Sequence, residues 1–235
     1  MWSRKALKEE AKLAFRRNYW RCVCVGALIS ILLGAVAFVV ALVSGFWSST
    51  IGLLGTVVSG VSRLPAGQFL VWFVSYLVFM AVFSVFLVFV FDPLSVSSCR
   101  FYIRNSEEYA GLDETLYPFS SGARYIKIVC GQLLAGLIAS LFALLLIVPG
   151  IIKMYDYYLV GYILADDPNM RPADALRKSK AMMRGQRWKT FVMNLSFLPW
   201  HILNELTLGI VGIFYVSPYI AQTKANLYLT LKEYD

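Results

Sequence analysis

Three stretches of this chain run without a charge for longer than a bilayer core requires. Val23 to Gly45, Phe69 to Phe91 and Ile128 to Ile152 contain no Lys, Arg, Asp or Glu. Each exceeds the roughly 20 apolar residues that carry a helix across hydrocarbon. Shorter apolar stretches follow, separated by polar turns, and together they predict six membrane segments near 19–45, 67–91, 124–148, 151–166, 189–206 and 208–229. The fourth is short: residues 151–165 give about 22 Å of helix against a core of roughly 30 Å. A tilted or partly buried helix is expected there. Between the third and fourth segments stands "LLLIVPGIIKMYDYYLVGYILADD", in which Pro149 and Gly150 predict a helix break and Lys153 and Asp156 follow directly.

Polar flanks set the orientation. Seven of the 22 Lys and Arg fall within the first 21 residues, and seven more lie between Arg171 and Lys189. Arg100, Arg104, Arg124 and Lys127 surround the second connection, and Lys224 and Lys232 lie near the end. Only Arg63 and Lys153 remain for the other side. Cytoplasmic loops collect Lys and Arg, so all basic blocks are expected inside and both termini are expected to be cytoplasmic. The resulting expectation is an all-α, polytopic transmembrane bundle in the cell membrane. It forms one integral domain over 1–235, with an amphipathic interfacial helix at 1–18, three spans in 19–148, and three more segments in 149–235 that include a basic cytoplasmic helix at 171–186.

Composition agrees with that class. The chain is 59% hydrophobic and 15% charged, with mean hydropathy +0.64, well to the apolar side of soluble domains. Its net charge of +8 follows the loops, which argues against a nucleic-acid partner. The first 21 residues are charged and amphipathic and show no small-residue cleavage pattern, so no cleaved signal peptide is expected. Cys22, Cys24, Cys99 and Cys130 lack the spacing and the histidines of a metal set, and free thiols are expected.

Outside the long runs, "SRKALKEEAKLAFRRNYWR" starts a helix with Ser3 as N-cap. Ala6, Leu7, Ala11, Leu13, Ala14 and Phe15 form its uneven apolar face, and Tyr19-Trp20 ends it. It reads either as an interfacial helix on an anionic leaflet or as the basic flank of the first span. "RPADALRKSKAMMRGQRW" forms a second basic helix with Pro172 in its first turn. Its Ala175, Leu176, Met182 and Met183 face headgroups or the bundle. Candidate contacts to anionic lipid headgroups or to a membrane-protein partner are Arg16, Arg17, Arg177, Lys178, Arg184 and Arg187. The Gly- and Ser-rich connection 46–66 is a surface segment, a re-entrant loop or a lid.

Polar groups inside apolar segments form the candidate intramembrane site. Lys153 and Asp156 stand i, i+3 on one helix face. They are either a structural pair near a helix end or a transport site, because ionisable groups in lipid are costly. Tyr157, Tyr158 and Tyr162 extend a polar-tipped strip beside them. His201 and Glu205, i, i+4 with Asn204 adjacent, are two ligands without a third, a proton relay, or simply a polar helix end. Gly131, Ala135, Ala139 and Ala143 recur every fourth residue, a spacing that lets helices approach within one chain or between copies in a homo-oligomer. Catalytic motifs are missing, so neither an enzyme nor a cofactor is the expectation; a lipid-acting membrane enzyme is the third function class, after a binding module and a small transporter or channel.

Several patches together resemble the domain of unknown function 975 family of small integral membrane proteins, common in Gram-positive bacteria. They are the first twenty residues, "FDPLSVSSCRFYI", the stretch from "LLLIVPGIIKMYD" through "ADDPNMRPADALRKSKAMMRGQRWKT", and "LTLGIVGIFYVSPYIAQTKANLYLTL". The most specific piece is the helix carrying Ala175, Ser179, Met183 and Gly185. Pro199 departs from the pattern, where a small residue is expected, and predicts a kink. A looser likeness reaches membrane domains of glycerophosphodiester phosphodiesterases, but no hydrolase domain is present. The resemblance implies a helical membrane fold and supplies no activity.

Overall fold

The computed structural model describes residues 2–32, 34–35, 38–39, 42, 66–167 and 169–234. Among them every regular element is helical. The chain divides into two units, residues 1–30 with 88–235, and residues 31–87. Residues 46–65 of the Gly- and Ser-rich connection lie outside the described residues.

Helix α1 spans Arg4–Arg17, and the Ser3 side chain accepts a hydrogen bond from the Ala6 amide at 3.2 Å, as its N-cap position requires. Arg16 and Arg17 in the last turn complement the helix dipole. After Asn18 the chain continues as α2, Tyr19–Leu32. The smaller unit contains α3, Ala66–Phe86, with Leu77 and Val78 exposed and Phe79 stacked on Phe83.

The larger unit adds α4 (Asp92–Glu107), a 3-10 turn Leu112–Ser120, α5 (Gly122–Leu145), α6 (Ile147–Asp156) and α7 (Val160–Asp166). It closes with α8 (Pro172–Met182), α9 (Arg187–Leu195), α10 (Leu198–Leu206) and α11 (Ser217–Glu233). A π-helical turn precedes α4 at Leu87–Phe91 and another precedes α11 at Gly212–Val216. Both have the same cause. Pro93 and Pro218 carry no N–H, so the carbonyls four residues earlier, on Phe89 and Phe214, lose their helical donor. The Tyr125 hydroxyl donates to Phe89 O and the Tyr19 hydroxyl donates to Phe214 O. Two tyrosines from other helices thus replace the two missing amides.

Two helical runs are long and apolar enough to cross a membrane: Tyr76–Glu107 and Gly122–Leu144. Burial along α5 is sharply graded. Ile128 is 1% exposed, whereas Leu144 is 86% exposed. The core gathers around Phe101, Tyr102, Leu159, Ile163, Met183 and Tyr228, contributed by α4, α7, α8 and α11 with the intervening turns. Apolar side chains on the outer half of α5, on α6 and on α10 point away from it.

Both basic helices differ from the interfacial reading in one respect. Leu7, Ala11, Ala14 and Phe15 are buried, with α1 packed on α11. Ala175, Leu176, Met182 and Met183 are buried, with α8 packed on α5 and α7. Of the alternatives left open for these faces, protein covers most of both; Ala6, Leu13 and Trp20 are the exceptions and remain exposed. A 3.6-residue stripe specifies that a face is buried, not what buries it.

Candidate functional site

The predicted break beside Pro149 is displaced by three residues. Leu146 is extended (φ −158°, ψ 137°), and Pro149 and Gly150 lie in the first turn of α6, where proline needs no amide donor. Gly150 has its own reason. A Cβ there would stand 2.5 Å from Ala143 Cα and 2.9 Å from Ala143 N. Only glycine permits this approach of α6 to α5, at the last position of the small-residue stripe. Gly131, at the first position, faces the side-chain end of Leu164 of α7, whose Cδ1 would stand 2.5 Å from an added Cβ.

One turn further on, Lys153 Nζ lies 3.5 Å from Asp156 Oδ2, as the i, i+3 spacing requires. The carboxylate has a second partner that spacing does not reveal. Arg187 Nη2, at the start of α9, stands 2.5 Å from Oδ1. Asp156 is 1% exposed, so its charge is held by two cations that themselves reach water. The contact with Arg187 lacks hydrogen-bond geometry, leaving Oδ1 and Arg187 Nε without a hydrogen-bond partner. On the backbone of the same residue, Ser179 Oγ donates to Asp156 O at 2.7 Å and accepts from Leu159 N at 3.3 Å. Ser179 thus fixes the bend between α6 and α7. Ala175 and Ser179 of α8 and Met183 at its C-terminal cap form one fully buried stripe, and Gly185 ends the following turn at φ +78°.

Tyr157 packs at the edge of the core. Tyr158 donates to Asn194 Oδ1 at 3.1 Å, and Asn194 Nδ2 donates to the Tyr155 hydroxyl at 3.3 Å. Tyr162 is buried and stacks on Tyr228. His201 and Glu205 are both exposed on α10 and make no hydrogen bond or ion pair with Lys153 or Asp156. Among the described residues no group of three or more His, Cys, Asp or Glu is placed to hold a metal. The expected kink at Pro199 takes the form of a break at Ser196-Phe197, immediately before α10.

The six candidate surface cations divide into two groups. Arg17 donates to the carbonyls of Asn105 and Glu108 at the end of α4, and Arg187 pairs with Asp156; these two hold protein to protein. Arg16 and Arg184 are exposed without an ion pair among the described residues, Arg177 pairs loosely with Asp174 at 3.7 Å, and Lys178 is half-buried.

A basic cavity that the sequence did not reveal lies between α1 and α9. It has a volume of about 750 Å³ and is lined by Arg4, Lys5, Lys8 and Lys189, with Trp2 and Trp188 at its sides and no acidic residue. Trp2 Nε1 donates to Gln186 Oε1 at 3.1 Å, and Lys8 Nζ donates to Ser196 Oγ at 2.7 Å. These bonds fix α1 along α9. Burial, then the charges of Arg4 and Lys12, hold the Lys8 ammonium below its ordinary value of 10.5, so the cavity concentrates like charge. Its four cations are 185 positions apart in sequence at the extremes, and no local pattern joins them. The usable signal was the excess of cations in both segments.

An all-helical chain with long, lipid-compatible helices and paired ionisable groups among them is the class defined by this arrangement. Residues 67–235 match the family described as "Protein of unknown function (DUF975)", and the chain belongs to that family. The likeness to glycerophosphodiester phosphodiesterase membrane domains is not shown by this match. No curated protein and no solved structure matches the chain.

Proposed function

We propose that this chain is a non-enzymatic integral membrane module whose basic face holds anionic lipid headgroups. The observation that carries this reading is the state of the cations. Arg4, Lys5, Arg16, Arg184 and Lys189 form no ion pair among the described residues, while most of the apolar side chains of α1 and α8 are buried in protein. Their charge is therefore directed outwards, and each cation close to an anionic surface contributes about 1 kcal/mol. The exposed apolar sides of α5, α6 and α10 supply a lipid-facing surface.

The transporter reading takes Lys153 and Asp156 as its site. Asp156 is closed by two cations and held at its backbone by Ser179, which favours a fixed joint over an exchangeable one. The test compares lipid retained by purified protein from mixed phosphatidylglycerol and phosphatidylcholine membranes. Replacing Arg16, Arg177, Lys178 and Arg184 together by Gln is expected to lower the enrichment of the anionic lipid. Unchanged enrichment would refute the proposal.

A further inference from the structure

We propose that the basic cavity between α1 and α9 and the apolar groove between α6 and α9 are the two halves of one anionic phospholipid site. The phosphate occupies the basic half and one acyl chain occupies the groove. This inference rests on the lipid-binding reading above and names its location. The groove has a volume of about 350 Å³ and is walled by Val148, Ile151 and Ile152 of α6 and by Phe191 of α9. Trp188 lines both cavities. It is 72% exposed, stacked on Phe191, and followed immediately by the cationic Lys189. An amphipathic ring of this kind suits the boundary between headgroup and chain.

Charge complementarity selects the occupant. Four cations without an acid line one half; the other half, bordered also by Tyr155 and by Arg187, whose charge is paired with Asp156, presents an almost entirely apolar surface. A soluble phosphate fills only the first. An acidic peptide leaves the second, which continues into the exposed apolar surface of α5 and α6, unmatched. A lipid with an anionic headgroup satisfies both. Arg4, Lys5 and Lys189 provide mobile donors to the phosphate oxygens, while Lys8 stays anchored on Ser196. Anion binding also relieves the mutual repulsion of Lys8, Arg4 and Lys12.

The test places full-length protein in phosphatidylcholine bilayers containing a small fraction of phosphatidylglycerol with brominated chains. Bromine quenches nearby tryptophan, and the Trp188 contribution is the difference between the parent and Trp188→Phe. Brominated phosphatidylglycerol is expected to quench Trp188 more strongly than brominated phosphatidylcholine at the same mole fraction. Lys5→Gln with Lys189→Gln should reduce that preference roughly 30-fold, about fivefold for each charge removed. Neither lysine holds an ion pair or side-chain hydrogen bond among the described residues, so the double variant retains the fold; an unchanged unfolding midpoint verifies this.

Equal quenching by the two lipids, or a preference that survives the double variant, overturns the site. If anionic lipid is still enriched overall while Trp188 shows no preference, the site fails and the broader reading stands; if enrichment is also absent, both fail. Loss of the preference on adding inorganic phosphate at a concentration matching the lipid overturns the lipid assignment in favour of a soluble phosphate. Persistence of the preference supports it.

Discussion

Arg187→Met removes the nearer of two cations from a carboxylate whose side chain is only 2% exposed. Lys153 remains at 3.5 Å, with its own side chain 20% exposed. Breaking a buried pair from one side costs about 3–5 kcal/mol. The surviving lysine places this case at the lower end, about 3 kcal/mol. In a chain of this size 1 kcal/mol moves the unfolding midpoint by about 2–4 °C, so Arg187→Met should lower it by about 6–12 °C. Asp156→Asn should cost less, because the two cations it releases reach water, with exposures of 36% and 20%. Combining both changes should cost less than their sum, since the second removes the charge that the first left unpaired. The assay is thermal unfolding in mild detergent, followed by circular dichroism at neutral pH, with salt raised to about 1 M as a control because buried pairs are weakly screened. A midpoint for Arg187→Met within the error of the parent, or strict additivity in the double variant, would refute the argument that Asp156 is a charged joint.

Gly150→Leu should prevent α6 from closing on α5, since the new Cβ meets backbone atoms of Ala143 at 2.5–2.9 Å; folded yield should collapse, whereas Gly136→Ala, where a Cβ meets nothing within 4 Å, should be tolerated. Yield by size-exclusion chromatography reads both, and equal yields would count against the close approach. Lys8 provides a pH dependence. Its depressed folded value means that, between that value and 10.5, the unfolded chain holds a proton the native chain has released. In lipid-free detergent its contribution to stability therefore rises with pH across that window. Unfolding midpoints of parent and Lys8→Met should diverge in the parent's favour there, and parallel pH profiles would contradict it.

Much of the helical layout is legible in the residues because it depends on local and solvent terms. Charge-free runs specify long apolar helices wherever they fold, Ser3 caps α1 through its own hydroxyl, and Lys153 meets Asp156 because helical geometry joins i to i+3. The sequence also marked the α5–α6 junction, but placed the break at Pro149-Gly150. Tertiary packing moved it to Leu146, since proline fits a helix's first turn and glycine was required for close approach, not for turning. Likewise an amphipathic stripe declares a buried face without naming its partner, so only the fold decided that α1 and α8 pack on protein. Arg187 with Asp156, and Arg4 and Lys5 with Lys189, are separated by tens to hundreds of residues. No periodicity links such positions, and the contacts that pair a charge or assemble a cavity exist only after the helices have packed.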